Sequence, residues 1–208
     1  MVHVKTKTII TGKGVYMGNF TTAKAVTFLD IETTHLDPKQ SAILEISIIT
    51  DWENGNSDTW TTKIKPRPIE LEFASKEALE ICHYNEEDWE DAPFFEDVAD
   101  VIAKKLRFGP LVAHNIDFDI NHIKAAFERR GFKQWSRALK DGEKSYSFGY
   151  PKIDTCALAY LYLPTERQNL DVLREHLNIS KDGAHTAAKD VEDCRTVFYE
   201  IYKNTISQ

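Results

Sequence analysis

Asp30 and Glu32 stand two residues apart at the end of an apolar run, in the stretch 28–37 that reads FLDIETTHLD. Side chains alternate along a strand, so the two carboxylates share one face while Ile31 takes the other. Two like charges a few ångströms apart repel, and each loses hydration near a core. A divalent cation would compensate both costs, which makes further ligands elsewhere in the chain worth seeking. Two stretches offer them. VAHNIDFDINHI places Asp119 on a helix soon after a short strand, and AHTAAKDVEDC places His185 five residues before Asp190. Five helical residues turn through about 500°, about 140° net, so His185 and Asp190 share a face only if His185 lies on the loop before the first turn. Gly183 and Ala184 put it there.

These side chains need elements to carry them. Strands are expected at 26–31, 43–50 and 59–65, with Asn54-Gly55 a hairpin signal between the second and third. Short loops make such consecutive strands antiparallel neighbours. Phe94, Phe95, Val98, Val101, Ile102 and Leu106 then recur at three- and four-residue steps, marking an amphipathic helix that Gly109-Pro110 stops. Residues 111–113 form a short strand. A helix capped by Asp117 follows to about Arg130, with Gly131 ending it. Three more helical patterns lie near 154–161, 169–177 and 186–203. A meander of strands followed by alternating helix and strand implies a mixed sheet flanked by helices. Residues 1–24 read as an N-terminal extension, a β-hairpin lying on a domain of 25–208; its GKGVYMG lacks the spacing of a phosphate loop.

The length, with 42% hydrophobic and 11% aromatic residues, suffices for one well-buried core. Cys82, Cys156 and Cys194 are odd in number and far apart, which argues against a disulfide framework or a zinc ribbon. No apolar run is long enough to span a bilayer and the first residues lack a secretory core, so a reducing, cytoplasmic setting is expected. The net charge is −7, but residues 70–100 alone carry −11, leaving +4 on the remainder. A basic surface outside that acidic, solvated stretch is therefore compatible with a nucleic-acid partner. The segment 133–150, with Lys133, Arg137, Lys140 and Lys144 among Trp135, Tyr146, Phe148 and Tyr150, could supply cations for phosphates and rings for bases.

The motifs together resemble the DEDDh branch of the DnaQ-like 3′→5′ exonucleases, in the ribonuclease H-like superfamily. Asp30, Glu32, Thr33 and Thr34 match its DxE-TT motif; His114, Asn115, Phe118 and Asp119 match HNxxFD; His185 and Asp190 match HxxxxD. The resemblance covers roughly residues 25–203. The sister branch carries tyrosine four residues before the last aspartate, where this chain has Thr186. The resemblance implies an α/β fold with a mixed five-stranded sheet, three antiparallel strands then parallel ones, flanked by helices. It implies hydrolysis of phosphodiester bonds from the 3′ end of DNA, preferably single-stranded, releasing nucleoside 5′-monophosphates. Two divalent cations, Mg²⁺ or Mn²⁺, about 3.5–4 Å apart would serve as cofactors. In that family Asp30 would bridge both ions, Glu32 and Asp190 would complete the first site, Asp119 would serve the second, and His185 would deprotonate the water. Thr33, Thr34, Leu36, His114, Asn115 and Phe118 would contact substrate, with Leu36 wedged between terminal bases and Phe118 stacking on one. His35 replaces the family's glycine in TTGL. His122 is read as a surface residue.

The implied partners are single-stranded DNA or 3′ ends of duplex DNA, with RNA and association with a polymerase as further options and no membrane. Three other functions share these residues: an exoribonuclease of the same family, a haloacid-dehalogenase-type phosphatase with Asp30 as nucleophile, and a non-catalytic nucleic-acid-binding module.

Overall fold

The computed structural model describes residues 25–134 and 143–206. The extension 1–24, and Trp135, Arg137 and Lys140 of the basic-aromatic segment, lie outside the described residues. In chain order the elements are β1 (Ala25–Thr33), β2 (Ile43–Trp52), β3 (Ser57–Lys63), α1 (Pro68–Leu71), α2 (Lys76–Ile81), a 3₁₀ turn (Glu87–Trp89), α3 (Phe95–Lys105), β4 (Leu111–Ala113), α4 (Ile116–Arg129), β5 (Lys133–Gln134), β6 (Ser145–Tyr146), β7 (Lys152–Asp154), α5 (Thr155–Tyr162), α6 (Leu170–Leu177) and α7 (Ala187–Ile206).

The main sheet runs β3-β2-β1-β4-β7. β2 is antiparallel to β1 and β3, while β4 is parallel to β1 and β7 parallel to β4. This is the mixed α/β sheet that the resemblance implied. β1 is central because it is apolar on both faces. Leu29 and Ile31 join the core beneath α3 and α4, with Ile102, Ile120 and Phe127. Val26 and Phe28 meet Val191, Cys194 and Phe198 of α7 on the other face. Each such large side chain removed from water contributes about 1.5–3 kcal/mol. Residues of β1 on the α7 face continue the alternation upward from Phe28 to Asp30 and Glu32, so the apolar packing aims the carboxylates.

The turn between α3 and β4 demands glycine. Gly109 has φ +61°, and a Cβ there would lie 2.0 Å from the Ala25 carbonyl oxygen. That close approach lets Pro110 accept a hydrogen bond from Thr27 N (2.9 Å), which sets β4 beside β1.

The acidic stretch is more structured than a solvated face. Ser75 caps α2, and the buried Trp89 donates from Nε1 to the Leu44 carbonyl at 2.9 Å. Trp89, Cys82 and Leu44 form a small core that ties the stretch to β2. β7 fills the fifth place in the sheet with three residues after Pro151, too few for a period-two pattern to register. α4 begins at Ile116 behind Asn115, which adopts the left-handed conformation (φ 70°), so Asp117 lies in the first turn and is not the cap. Lys133 N donates to Lys144 O (3.0 Å), closing the ends of the basic-aromatic segment as a short parallel pair.

Candidate active site

The carboxyl ends of the parallel strands β1, β4 and β7 form one edge of the sheet, the usual place for a site in an open α/β sheet. β1 brings Asp30 and Glu32 there. A register shift between Glu32 and Thr33 skips Leu44 on the partner strand, so Glu32 faces Glu45 and Thr33 faces Ile43. Such a bulge bends the strand and redirects the residues beyond it. α7 starts at this edge and contributes Asp190 from its first turn. One oxygen from each of Asp30, Glu32 and Asp190 lies within 4.8 Å of the other two, and all three residues are partly buried. Asp119 is outside this trio. It projects from the first turn of α4, the helix packed on the other face of β1, and is 3% exposed.

The electrostatics agree with the crowding. The Asp30 carboxyl is held well above the usual carboxylate range, first by burial, then by Asp119, Asp190, Glu32 and Glu45. Burial raises Glu32 to about 7, against a hydrogen bond from Cys82 and the neighbouring charge of His185. Burial also raises Asp119, Asp190 and Glu45, with Arg174 opposing the shift at Asp190. So many carboxylates drawn from water and from each other form an oxygen-only donor set that suits hard divalent cations such as Mg²⁺ or Mn²⁺.

His185 lies on the loop before α7, exposed, with φ 63°. Its N–H donates to Asp190 Oδ1 at 3.2 Å, fixing the imidazole-bearing loop to the trio. The αL backbone is uncommon for a non-glycine residue and is sustained here by that bond and by Ala184 N to Lys181 O at 3.0 Å.

The remaining sequence candidates divide. Leu36 is 80% exposed at the tip of the loop after β1. Arg129 holds that loop by donating to the carbonyls of Pro38 (2.7 Å) and Ser41. Thr33 and Thr34 are buried: Thr34 Oγ1 accepts from Ala42 N (2.8 Å) and Thr33 Oγ1 donates to His35 O (3.3 Å). Their hydroxyls build the loop and do not face outward. His35 has ordinary backbone angles in place of the family's glycine, and its Nδ1 accepts from Asp37 N at 2.9 Å. The side chain therefore caps a turn that glycine would leave open.

His114 turns toward the start of α5, with Nδ1 3.0 Å from Thr155 Oγ1 and Nε2 3.4 Å from Cys156 Sγ. Asn115 is exposed, and its N–H donates to Asp154 Oδ1 (3.0 Å). Phe118 is half-buried and lies tilted against His122, centroids 4.1 Å apart. His122 is not a surface residue: it is 2% exposed, with Nε2 3.0 Å from His35 O and Nδ1 2.8 Å from Phe118 O. Its place four residues after Phe118 and four before the buried Ala126, on one flank of α4, was the available signal.

Four residues at the site have no place in the motifs. Glu45 accepts from Ala187 N (3.2 Å), pinning the start of α7 to β2. Like Asp30, it is an acid within an apolar strand. Cys82 donates to Glu32 Oε2 (3.1 Å), and burial beside that carboxylate raises the thiol far above its ordinary pKa, so it remains a neutral donor. Asp154 caps α5 by accepting from Cys156 N at 2.8 Å. Arg174 reaches Asp190 from α6. In sequence, Arg174 looks like the exposed partner of Asp171 one turn away.

A family model described as Exonuclease (RNase_T) matches residues 27–198. A PolC-type DNA polymerase III from Thermotoga petrophila is 30% identical over 171 residues, 82% of this chain and 11% of that protein. A 3′-5′ exonuclease DinG from Staphylococcus epidermidis is 29% identical over 163 residues, 78% of this chain and 16% of that protein. The chain thus spans a small part of the length of these relatives. Among solved structures, E. coli exonuclease I in complex with a dT13 oligonucleotide aligns with a TM-score of 0.66 at 15% identity, covering 86% of this chain and 41% of that one. Exonuclease X in complex with 5′ overhanging duplex DNA aligns with a TM-score of 0.61 at 20% identity, covering 86% and 92%. Those two likenesses concern the fold.

Proposed function

This chain belongs to the RNase T exonuclease family, and on that premise we propose that it removes nucleotides from the 3′ end of DNA, single-stranded by preference, releasing nucleoside 5′-monophosphates. The observation that carries the reading is the convergence of Asp30, Glu32 and Asp190 within 4.8 Å beneath the His185 loop. Family membership also sets aside a haloacid-dehalogenase-type phosphatase, and the filled acidic positions speak against a module that has lost catalysis.

Asp30, Glu32 and Asp190 would hold one divalent cation, Mg²⁺ or Mn²⁺, and Asp30 with Asp119 a second. Such ions supply charge neutralisation at the reacting phosphate and acidify bound water. The chain's own residues do the rest. Exposed His185 accepts the proton of the attacking water at a ring nitrogen, the general-base role that histidine side chains most often fill. The bond from its N–H to Asp190 fixes where that ring can reach. Leu36, exposed on the loop that follows Glu32, is the side chain to lie against the terminal base and hold the 3′ end in register. Glu45 keeps the start of α7 against β2, so that Asp190 and His185 approach β1 together.

DNA substrates agree with the neighbours solved on DNA and with the polymerase relatives. The same likeness motivates a working place beside a polymerase. Among the described residues no helix is long and apolar enough to cross a membrane.

The decisive assay incubates 5′-labelled and 3′-labelled single-stranded DNA and RNA with Mg²⁺ or Mn²⁺, with chelator, and with Asp30→Ala. Mononucleotides released from the 3′ end of DNA, only with metal and only by the unaltered chain, are expected. Internal cleavage, or release that survives Asp30→Ala, would overturn the reading. Faster release from RNA would move the substrate to RNA.

A further inference from the structure

We propose, resting on the cation-binding reading above, that Arg174 is a positioning residue: it holds Asp190 with a single carboxylate oxygen free for a divalent cation. Arg174 is 1% exposed, the bulkiest of the fully buried side chains. Its guanidinium is held on all sides. Nε donates to Asp193 Oδ2 (2.7 Å), Nη1 to Asp171 Oδ1 (2.7 Å), and Nη2 to Asp190 Oδ1. Asp193 is itself buried, and its Oδ1 is paired with Lys189. The rigid fork of an arginine can serve three carboxylates at once from one centre, which a lysine ammonium cannot match in geometry.

The consequence concerns Asp190. Its Oδ1 accepts from both Arg174 Nη2 and His185 N, so that oxygen's lone pairs are used. That leaves Oδ2 as the oxygen that can turn to a cation shared with Asp30 and Glu32. Asp190 is thereby a one-oxygen ligand, oriented before any cation arrives, in a site whose other charges repel it. Because Asp171 and Arg174 belong to α6 and Asp190 and Asp193 to α7, the guanidinium also locks the helix that carries this ligand against its neighbour. An outer partner of this kind sets metal affinity through the ligand it orients.

The test reads metal binding apart from catalysis. The whole chain, without DNA, is titrated with Mn²⁺ and free Mn²⁺ is followed by electron paramagnetic resonance, for the unaltered protein, Arg174→Gln, Arg174→Lys and Asp193→Asn. Arg174→Gln should raise the Mn²⁺ dissociation constant about tenfold or more. Arg174→Lys should recover only part of that loss. Asp193→Asn, which loosens the guanidinium without touching Asp190, should shift affinity in the same direction by less. The Mn²⁺ concentration for half-maximal nuclease activity should move in step, with excess Mn²⁺ recovering most of the turnover that Arg174→Gln loses. A folded Arg174→Gln that binds Mn²⁺ as tightly as the unaltered chain overturns the inference, as does a loss of turnover that no Mn²⁺ concentration recovers. Should circular dichroism show Arg174→Gln unfolded, Asp193→Asn decides alone: weaker Mn²⁺ binding supports the role and unchanged binding removes it. An unaltered chain that binds Mn²⁺ but releases no nucleotide refutes the exonuclease reading and leaves this inference to the titration. Failure of the unaltered chain to bind Mn²⁺ refutes both.

Discussion

Replacing Glu32 by glutamine should make the metal-free protein more stable at alkaline pH while abolishing its activity. Burial holds the folded-state pKa of Glu32 near 7, against an ordinary value of 4.5. Below pH 4.5 the group is protonated in folded and unfolded chains alike and contributes nothing. Above pH 7 it is ionised in both, and the folded state carries the whole cost. Stability is therefore lost as pH rises from 4.5 through 7, the reverse of a salt-bridged acid. The shift corresponds to about 3 kcal/mol at 1.36 kcal/mol per pKa unit. Proton uptake by Asp30 and Asp190 relieves part of the same repulsion, so about 2 kcal/mol is the expected gain for Glu32→Gln at pH 8.

For a chain of this length about 2 kcal/mol corresponds to a rise in Tm of about 4–8 °C. The amide keeps an oxygen to accept from Cys82 Sγ, so the substitution changes charge and little else. The measurement is thermal unfolding by circular dichroism in chelator at pH 5 and pH 8, repeated with saturating Mg²⁺ or Mn²⁺. At pH 5 the difference should shrink below about 1 kcal/mol. With metal present the order should reverse, because the unaltered chain gains binding energy that the variant lacks. A variant no more stable than the parent at pH 8 in chelator, or equally favoured at pH 5, would refute the idea that this carboxylate is held charged at a cost.

His185→Ala should lower turnover by about 10²–10⁴ with single-stranded DNA still binding, since general-base catalysis contributes in that range; near-parental turnover in a stopped time course would remove the histidine from that role. Leu36→Ala should leave the melting temperature unchanged, because the side chain is 80% exposed, while raising KM for single-stranded DNA about fivefold, roughly the 1 kcal/mol of a small apolar contact; an unchanged KM would mean that the terminal base does not touch it. His122 is held below its ordinary pKa by burial, against its two carbonyl partners. With the folded pKa depressed, protonation favours the unfolded chain, and stability is lost as pH falls below about 6.5. His122→Gln should therefore narrow the gap in Tm between pH 7.5 and pH 5.5, and an undiminished gap would place that acid sensitivity elsewhere.

Legibility in the sequence tracks the length and periodicity of each element. β1, β2, α3, α4 and α7 bury whole faces, and their apolar spacing marks them to within two or three residues. β7 has only Lys152, Ile153 and Asp154, and a strand paired on one side by β4 needs no longer pattern. α1, α2 and the 3₁₀ turn lie in a stretch whose charge hides its anchors. That stretch is fixed by scattered contacts, among them the Trp89 indole bond to Leu44, Ser75 N to Thr34 O and a small cluster around Leu44, and none of them repeats along the chain. The trio of Asp30, Glu32 and Asp190 can be assembled from motifs because each lies at the end of a legible element. Asp119 stands in the same motif set but comes from α4, which packs against the other face of β1, and it is the strongest of the charges acting on Asp30; linear spacing does not convey that approach from the opposite side.

Glu45, Cys82 and Arg174 are illegible for a different physical reason. Each acts on a site acid, or on the helix carrying one, across a sequence separation of 16 to 142 residues. Their residue types are common in bland contexts: an acid at a strand position, a cysteine after a helix, an arginine three residues from an aspartate. Only the fold gives them consequence, by bringing hydrogen-bond donors to carboxylates that would otherwise turn away from one another. Asp190 makes the point quantitatively, since the Arg174 contact and the His185 N–H at 3.2 Å both fall on one of its two oxygens. A set of acids becomes a cation site when their remaining oxygens are made to converge, and in this chain that convergence is enforced by partners outside the motifs.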